Sequence, residues 1–368
     1  MDTTESPLLE TFITTPKHSL EADRPISPSS NSLEPIVFFP KARWPDPNRN
    51  AVARMNPITI AHRGAKAKFP ENTMSAFIHA IDVGAQVIET DLHLSRDGEI
   101  VLSHDATLQR CFGVKKRIID CDWQYLSTLR TTVEPVEFMP RLVDLLRYVS
   151  AAPERKDVWI LLDIKRDNHP ETIMDTLADL LRSTPSEHKP WNERIILGCW
   201  TTKYLSLAHR LFPAYPVSLI SFSLAFARQF LKVPHIIFNM NMHALMGPGG
   251  AQFLADAREA GQQVFAWTVN RKEFMRLCIR RGLDGVVTDE VELCRRTCGG
   301  RKDGPCRLPE NGGDDDRDDG LTVLQRAGVL VRAVLLYAVG SLFTVVYRVD
   351  LDHFIYGLYH DGNGKEYE

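Results

Sequence analysis

The chain has 368 residues, is 44% apolar, carries a formal net charge of −3 and contains seven cysteines. That apolar content supports a sizeable core in one large domain or two of ordinary size, and the lack of a basic surplus excludes nucleic acid as a partner class. Seven cysteines without an even, regular framework read as mostly reduced thiols in an intracellular compartment.

Residues 1–55 are rich in Ser, Thr, Pro and acidic side chains and are expected to be a disordered tail, with Val37, Phe38 and Phe39 its only candidates for docking. Nothing at the N-terminus has the pattern of a secretory signal or a transit peptide. The first strand, Ile58-Thr59-Ile60-Ala61, delivers His62 at its end. Asn72 or Thr73 then caps a helix whose Met74, Phe77, Ile78 and Ile81 fall at i, i+3, i+4 and i+7, and Gly84 ends it. In the next β-rich run Glu89 and Asp91 stand at i and i+2, on one face of a strand. A further apolar run, 100–103, ends at His104.

Strand, helix and strand then alternate. Residues 158–165 are nearly continuously apolar, as in a strand buried on both faces. Further strands are expected at 194–199, 217–221, 235–239, 263–268 and 285–288, with helices at 172–181, 251–260 and 273–281. Setting 100–103 aside as a hairpin partner leaves eight strands. The domain 56–298 therefore has the content and span of an α/β protein of the (β/α)8 TIM-barrel class. A doubly wound open sheet is the fallback, but no Gly-rich nucleotide loop follows a strand to support it. His62, Asp163, Lys165 and Trp267 fall at or near strand C-termini, which in a barrel is the active-site face.

Residues 299–320 turn to Gly, Pro and charge and read as an acidic flexible linker. Segment 321–349 holds Ala327 to Tyr347, which as a helix would reach roughly 31 Å, the thickness of a hydrocarbon core. Its one charge, Arg332, lies close enough to one end to snorkel. A membrane-anchoring helix is expected here, against the alternative of a helix packed on the barrel. The short tail 350–368 carries Leu351, Phe354, Ile355 and Leu358 at helical spacing, suited to a membrane surface. Lys and Arg are slightly commoner before the apolar segment than after it, which favours a cytosolic barrel on an intracellular membrane.

The chemistry concentrates between Thr59 and Asp105. Two carboxylates held side by side on a strand repel unless a cation lies between them, and hard oxygen donors suit Mg²⁺ or Ca²⁺. Two imidazoles at strand ends can act as base and acid near neutral pH. Together with Arg63 they are the groups that metal-assisted attack on a phosphodiester requires. Cys294, Cys298 and Cys306 match no standard zinc spacing.

His62-Arg63-Gly64, Pro70-Glu71-Asn72-Thr73, Gly84-Ala85 with Glu89-x-Asp91, Asp97-Gly98 and His104-Asp105, in that order, resemble the glycerophosphodiester phosphodiesterase family. With the apolar C-terminal segment, the chain looks most like the fungal phosphatidylglycerol phospholipase C branch. The resemblance implies His62 and His104 as catalytic acid and base, Glu89, Asp91 and Asp163 as ligands of one divalent cation, and Arg63 and Lys165 on the phosphate. Trp267 would wall the pocket and Asp105 would orient His104. Glu71 and Asn72 read as structural.

Asp163 departs from the family pattern, which usually has Glu there. Aspartate keeps the charge on a side chain one methylene shorter, nearer the sphingomyelinase D pattern. Three carboxylates, a divalent cation, Arg63 and Lys165 leave one positive charge, which a phosphodiester anion neutralises.

The activity so implied is hydrolysis of phosphatidylglycerol to diacylglycerol and glycerol phosphate, on a phospholipid membrane that is mitochondrial or of another organelle. The alternatives are release of glycerol 3-phosphate from deacylated phospholipids, or a membrane-tethered lipid-binding barrel without turnover. No protein partner is expected.

Overall fold

Among the described residues there are nine strands, helices separating all but the second and third: β1 (Ile58–His62), β2 (Val87–Leu94), β3 (Ile100–Leu102), β4 (Trp159–Ile164), β5 (Ile195–Cys199), β6 (Val217–Ser221), β7 (Ile237–Asn241), β8 (Val264–Trp267) and β9 (Gly285–Thr288). They were located in a computed structural model that describes residues 39–43, 56–298, 322, 327–335 and 338–339. Eight strands are parallel and neighbour one another in the order β1-β9-β8-β7-β6-β5-β4-β2, and a β1–β2 pairing closes the ring. β3 stands outside it as the antiparallel hairpin partner of β2. The fold is a TIM barrel.

Period-two alternation fills the barrel from the bottom. Ile58, Ile60, Val87, Leu161, Ile196, Ile237, Phe265 and Val287 meet inside the N-terminal half as one apolar cluster, and Ala42 packs into it from below. The next inward positions on β1, β2 and β4 are His62, Glu89, Asp91 and Asp163, so the same alternation that builds the floor raises charged groups at the C-terminal end. Register levels them: His62 pairs with Glu89 and Asp91 with Asp163. Outward-facing strand residues pack against helices such as Met74–Asp82, Pro170–Ser183 and Lys272–Arg280 in a second, larger cluster.

β7 begins two residues later than its apolar run suggests. His235 takes a left-handed φ of 62° and its Nδ1 lies 3.0 Å from the Phe39 carbonyl, while Phe39 N donates to Pro234 O at 3.3 Å. Phe39 is buried. Val37, Phe38, the rest of the N-terminal tail, the linker 299–320 and the tail 350–368 lie outside the described residues.

Between β3 and the helix Leu142–Ser150 the chain makes an excursion, residues 105–141, with a small core of its own around Leu108, Ile118, Leu126 and Met139. It starts beside Asp91, whose carbonyl accepts from Ser103 N at 3.1 Å, so it sits over the C-terminal side of the barrel. Residues 327–335 are helical; Ala333 is buried against Gly247, and Leu330, Val331, Val334 and Leu335 are exposed. Among the described residues no helix is long and apolar enough to cross a membrane. The remainder of the expected membrane segment, residues 336–337 and 340–347, falls outside them.

Candidate active site

Glu89, Asp91 and Asp163 each offer a carboxylate oxygen, and these lie within 4.8 Å of one another at the top of the barrel interior. All three are buried. Lys165 Nζ stands 2.6 Å from Asp91 Oδ1 and 2.6 Å from Asp163 Oδ2. Arg63 Nε lies 3.3 Å from Asp91 Oδ2 and its Nη1 donates to Glu71 at 2.9 Å. Burial drives the Glu89 carboxyl well above its ordinary range, reinforced by Asp91 and Asp163 and only partly opposed by Arg63 and Lys165. Burial acts the same way on Asp91, but there Lys165 and then Arg63 prevail and hold it ionised.

The donor set fits a divalent cation on two observations. Three buried carboxylates share two positive side chains. Their oxygens converge within 4.8 Å of one another, with Asp91 Oδ1 and Asp163 Oδ2 both ion-paired to the one Lys165 ammonium. Hard oxygens of this kind suit hard divalent cations such as Mg²⁺, Ca²⁺ or Mn²⁺.

Local structure explains how these side chains are held. Arg63 sits at a φ of 56°, which turns its N–H onto Glu89 Oε2 at 2.8 Å. Gly64 follows at +82°, and a Cβ there would come within 2.7 Å of the Ala76 backbone, so only glycine fits. Thr73 is the helix cap, accepting from Ala76 N. Asn72, one of the two expected caps, instead lies inside at a φ of 55°, donating to Asp91 Oδ2 at 2.8 Å and accepting from Thr90 Oγ1 at 2.8 Å. It aims a carboxylate rather than starting a helix.

Each histidine is backed by a carboxylate. His104 Nδ1 is 2.8 Å from Asp105 Oδ1, and Arg110 Nε donates to Asp105 Oδ2 at 2.7 Å. Arg110 also grips Glu71, the partner of Arg63, so a chain of ion pairs ties His104 to Arg63. Burial and then the Lys165 charge lower the His104 pKa, keeping its imidazole neutral near pH 7. His93, also buried, meets the His104 carbonyl through Nε2 at 3.2 Å.

His62 Nδ1 is 2.6 Å from Asp289 Oδ1. Asn270 donates to Asp289 Oδ2 at 2.7 Å and its own oxygen accepts from Asp289 N at 2.9 Å. Burial would raise the Asp289 carboxyl, but the hydrogen bond and charge of His62 carry it below the ordinary range.

Five contributors escaped the sequence reading: Asp289, Asn270, Trp200, Arg110 and His93. Asp289 and Trp200 each follow the last residue of a strand, β9 and β5, and only closure of the barrel shows what they face. Trp200 Nε1 donates to Asp163 Oδ1 at 2.7 Å, and its ring meets Trp267 edge-on with centroids 5.9 Å apart. Trp267, half-buried, donates to the Asn239 carbonyl at 2.9 Å. Arg63 and Lys165, expected on the phosphate, here face carboxylates at the edge of the same space.

A model of the glycerophosphoryl diester phosphodiesterase family matches residues 62–293, from His62 into the helix Val291–Cys298. The chain belongs to this family. A glycerophosphodiester phosphodiesterase of Caldanaerobacter subterraneus is 26% identical over 65% of the chain and 96% of its own length. A mouse relative, lysophospholipase D GDPD1, is 29% identical over 62% of the chain and 82% of its own length. Among solved structures, the glycerophosphodiester phosphodiesterase of Thermotoga maritima superposes with a TM-score of 0.54 at 27% identity, covering 66% of this chain and 99% of that one. The protein is accordingly a phosphodiester hydrolase, and divalent-cation dependence is typical of its family.

Proposed function

We propose that the chain hydrolyses glycerol-linked phosphodiesters, releasing glycerol phosphate, by acid/base catalysis between His62 and His104. The observation that carries this is the pairing of two carboxylate-backed histidines with three converging carboxylates at one barrel mouth. The names of the curated relatives, glycerophosphodiester phosphodiesterase and lysophospholipase D, favour a deacylated or singly acylated diester.

Glu89, Asp91 and Asp163 would hold the cation, which when bound supplies positive charge for the non-bridging phosphate oxygens. His104, neutral at pH 7, takes the proton of the glycerol hydroxyl next to the phosphorylated carbon, and that oxygen attacks phosphorus. His62, held through Nδ1 by Asp289, gives its proton to the departing oxygen as the P–O bond breaks. Water then opens the cyclic glycerophosphate with the two roles exchanged. Arg63 and Lys165 add charge stabilisation as the phosphorane oxygens become more negative.

Phosphatidylglycerol as substrate is the second reading, favoured by the apolar side chains that residues 327–335 leave exposed. Its headgroup carries the same neighbouring hydroxyl. A membrane-associated barrel acting on the cytosolic side belongs to this reading.

The deciding experiment is product analysis with Mg²⁺, with Ca²⁺ and with chelator, on glycerophosphodiesters and on phosphatidylglycerol vesicles, alongside His62→Ala. Metal-dependent glycerol phosphate from the soluble diesters, lost in the variant, is the expected result. Diacylglycerol from vesicles would select the phospholipase C reading, and silence on both would leave a lipid-binding barrel without turnover.

A further inference from the structure

The large apolar side chains that stand exposed among the described residues fall in two places only. Ile119, Val133, Val136 and Phe138 lie in the excursion, and the others lie on residues 330–339. Val133 is 61% exposed and Phe138 48%. Apolar groups gathered this way on an otherwise polar surface mark an interface.

Both places belong to the barrel mouth. The excursion departs directly after His104 and returns at Arg141, which bridges to Val101 of β3. Ser75 Oγ donates to Glu137 beside the start of the first helix, so this lobe rests on the C-terminal rim. On the other side, Arg332 Nη1 lies 3.4 Å from His243 Nε2, and Ala333 packs on Gly247, both shortly after β7. In the ring of eight, β2 with its hairpin and β7 are diametrically opposed. Two apolar rims therefore flank the opening above His62, His104 and the carboxylates.

Charge says what they face. Lys115, Lys116 and Arg117 are consecutive, exposed, and line a groove of about 580 Å³ with Thr107, Gln109 and Asp120. The turn they occupy adjoins the apolar one, because a Cβ on Gly113 would stand 3.3 Å from the Thr132 methyl and Thr132 N donates to the Cys111 carbonyl. Arg130 stacks its guanidinium 3.2 Å from the Phe138 ring centroid. Cations ringing exposed aliphatic and aromatic tips suit anionic headgroups above acyl chains.

We propose that the C-terminal face of the barrel docks on an anionic phospholipid surface. Val133, Val136 and Phe138 enter the boundary between headgroups and acyl chains, residues 115–117 contact the headgroups, and the exposed side of residues 330–335 supports the opposite rim. The proposal stands on the surface rather than on the chemistry, and goes beyond the diesterase reading.

The test is sedimentation of the full chain with phosphatidylcholine vesicles, with and without phosphatidylglycerol, for the parent, K115E/K116E/R117E and V133S/V136S/F138S. Turnover of a soluble glycerophosphodiester is measured in parallel. Expected is partition that requires the anionic lipid and weakens with salt, falling by about ten-fold or more in each variant with soluble turnover unchanged. Undiminished binding by both variants, or binding indifferent to anionic lipid, would overturn the proposal. So would a dimer in light scattering that the serine variant dissolves, since the patch would then face a second copy. If the parent binds as expected yet turns over no diester, docking stands and the catalytic reading fails.

Discussion

Asp289 holds His62 with one carboxylate oxygen while Asn270 and Lys66 meet the other, and its substitution separates positioning from binding. Asp289→Asn keeps the shape but takes away the carboxylate that holds His62 Nδ1. We expect kcat on a soluble diester to fall by roughly 10² to 10⁴-fold with KM nearly unchanged. Steady-state kinetics decide it, a rise in KM alone would assign Asp289 to substrate, and Asn270→Ala should show a milder form of the same split.

Glu71 makes a second prediction at this scale. Burial alone would raise its carboxyl, but the Arg110 hydrogen bond and the charges of Arg63 and Arg110 bring it from 4.5 to about 2. A carboxylate depressed in this way stabilises the fold above its unfolded pKa, and that contribution disappears as pH falls from about 4.5 to about 2. By linkage it is worth roughly 3 kcal/mol at neutral pH. Glu71→Gln should therefore lower the urea midpoint at pH 7, with the gap to the parent closing by about pH 2.

Among elements, β9 leaves little room for added atoms. A Cβ on Gly285 would stand 2.5 Å from the Phe265 ring and 2.9 Å from Ile60 inside the barrel. Gly285→Ala should cost about 1–3 kcal/mol by overpacking, and Phe265→Leu in the same chain should return part of it, both read as denaturant midpoints.

β4 and β5 were among the plainest elements in the sequence, because strands buried on both faces read as nearly continuous apolar runs, whereas Ser218 and Ser221 interrupt β6. The excursion was not legible. Its helices are four residues long, too short to show a period, and its core joins Val101 to Met139 through residues with no common spacing. The candidate site divides in the same way. His62, Glu89, Asp91 and His104 lie within one local motif, whereas Asp289 meets His62 across 227 residues and Trp200 meets Asp163 across 37. Such partners follow from strand order and register, which no window of sequence contains.

At the scale of the whole molecule, a bound cation would be linked to the fold. Three buried carboxylates share only Lys165 and Arg63, and a divalent ion between them would relieve the repulsion that remains. Mg²⁺ or Ca²⁺ at a hundred times its Kd should stabilise the protein by about 2.7 kcal/mol, seen as a rise in melting temperature over the chelated form. Glu89→Gln should abolish the rise, and Asp163→Glu should change which ion produces the larger one.

The His62–Asp289 contact crosses the seam where β1 meets β9, the first and last strands of the ring. During synthesis everything up to β8 can be present while that seam is open, and His62 then has no partner to fix its tautomer. On the proposed mechanism, His62 would stay unaligned until β9 joins β1, and hydrolytic competence would arrive together with that strand.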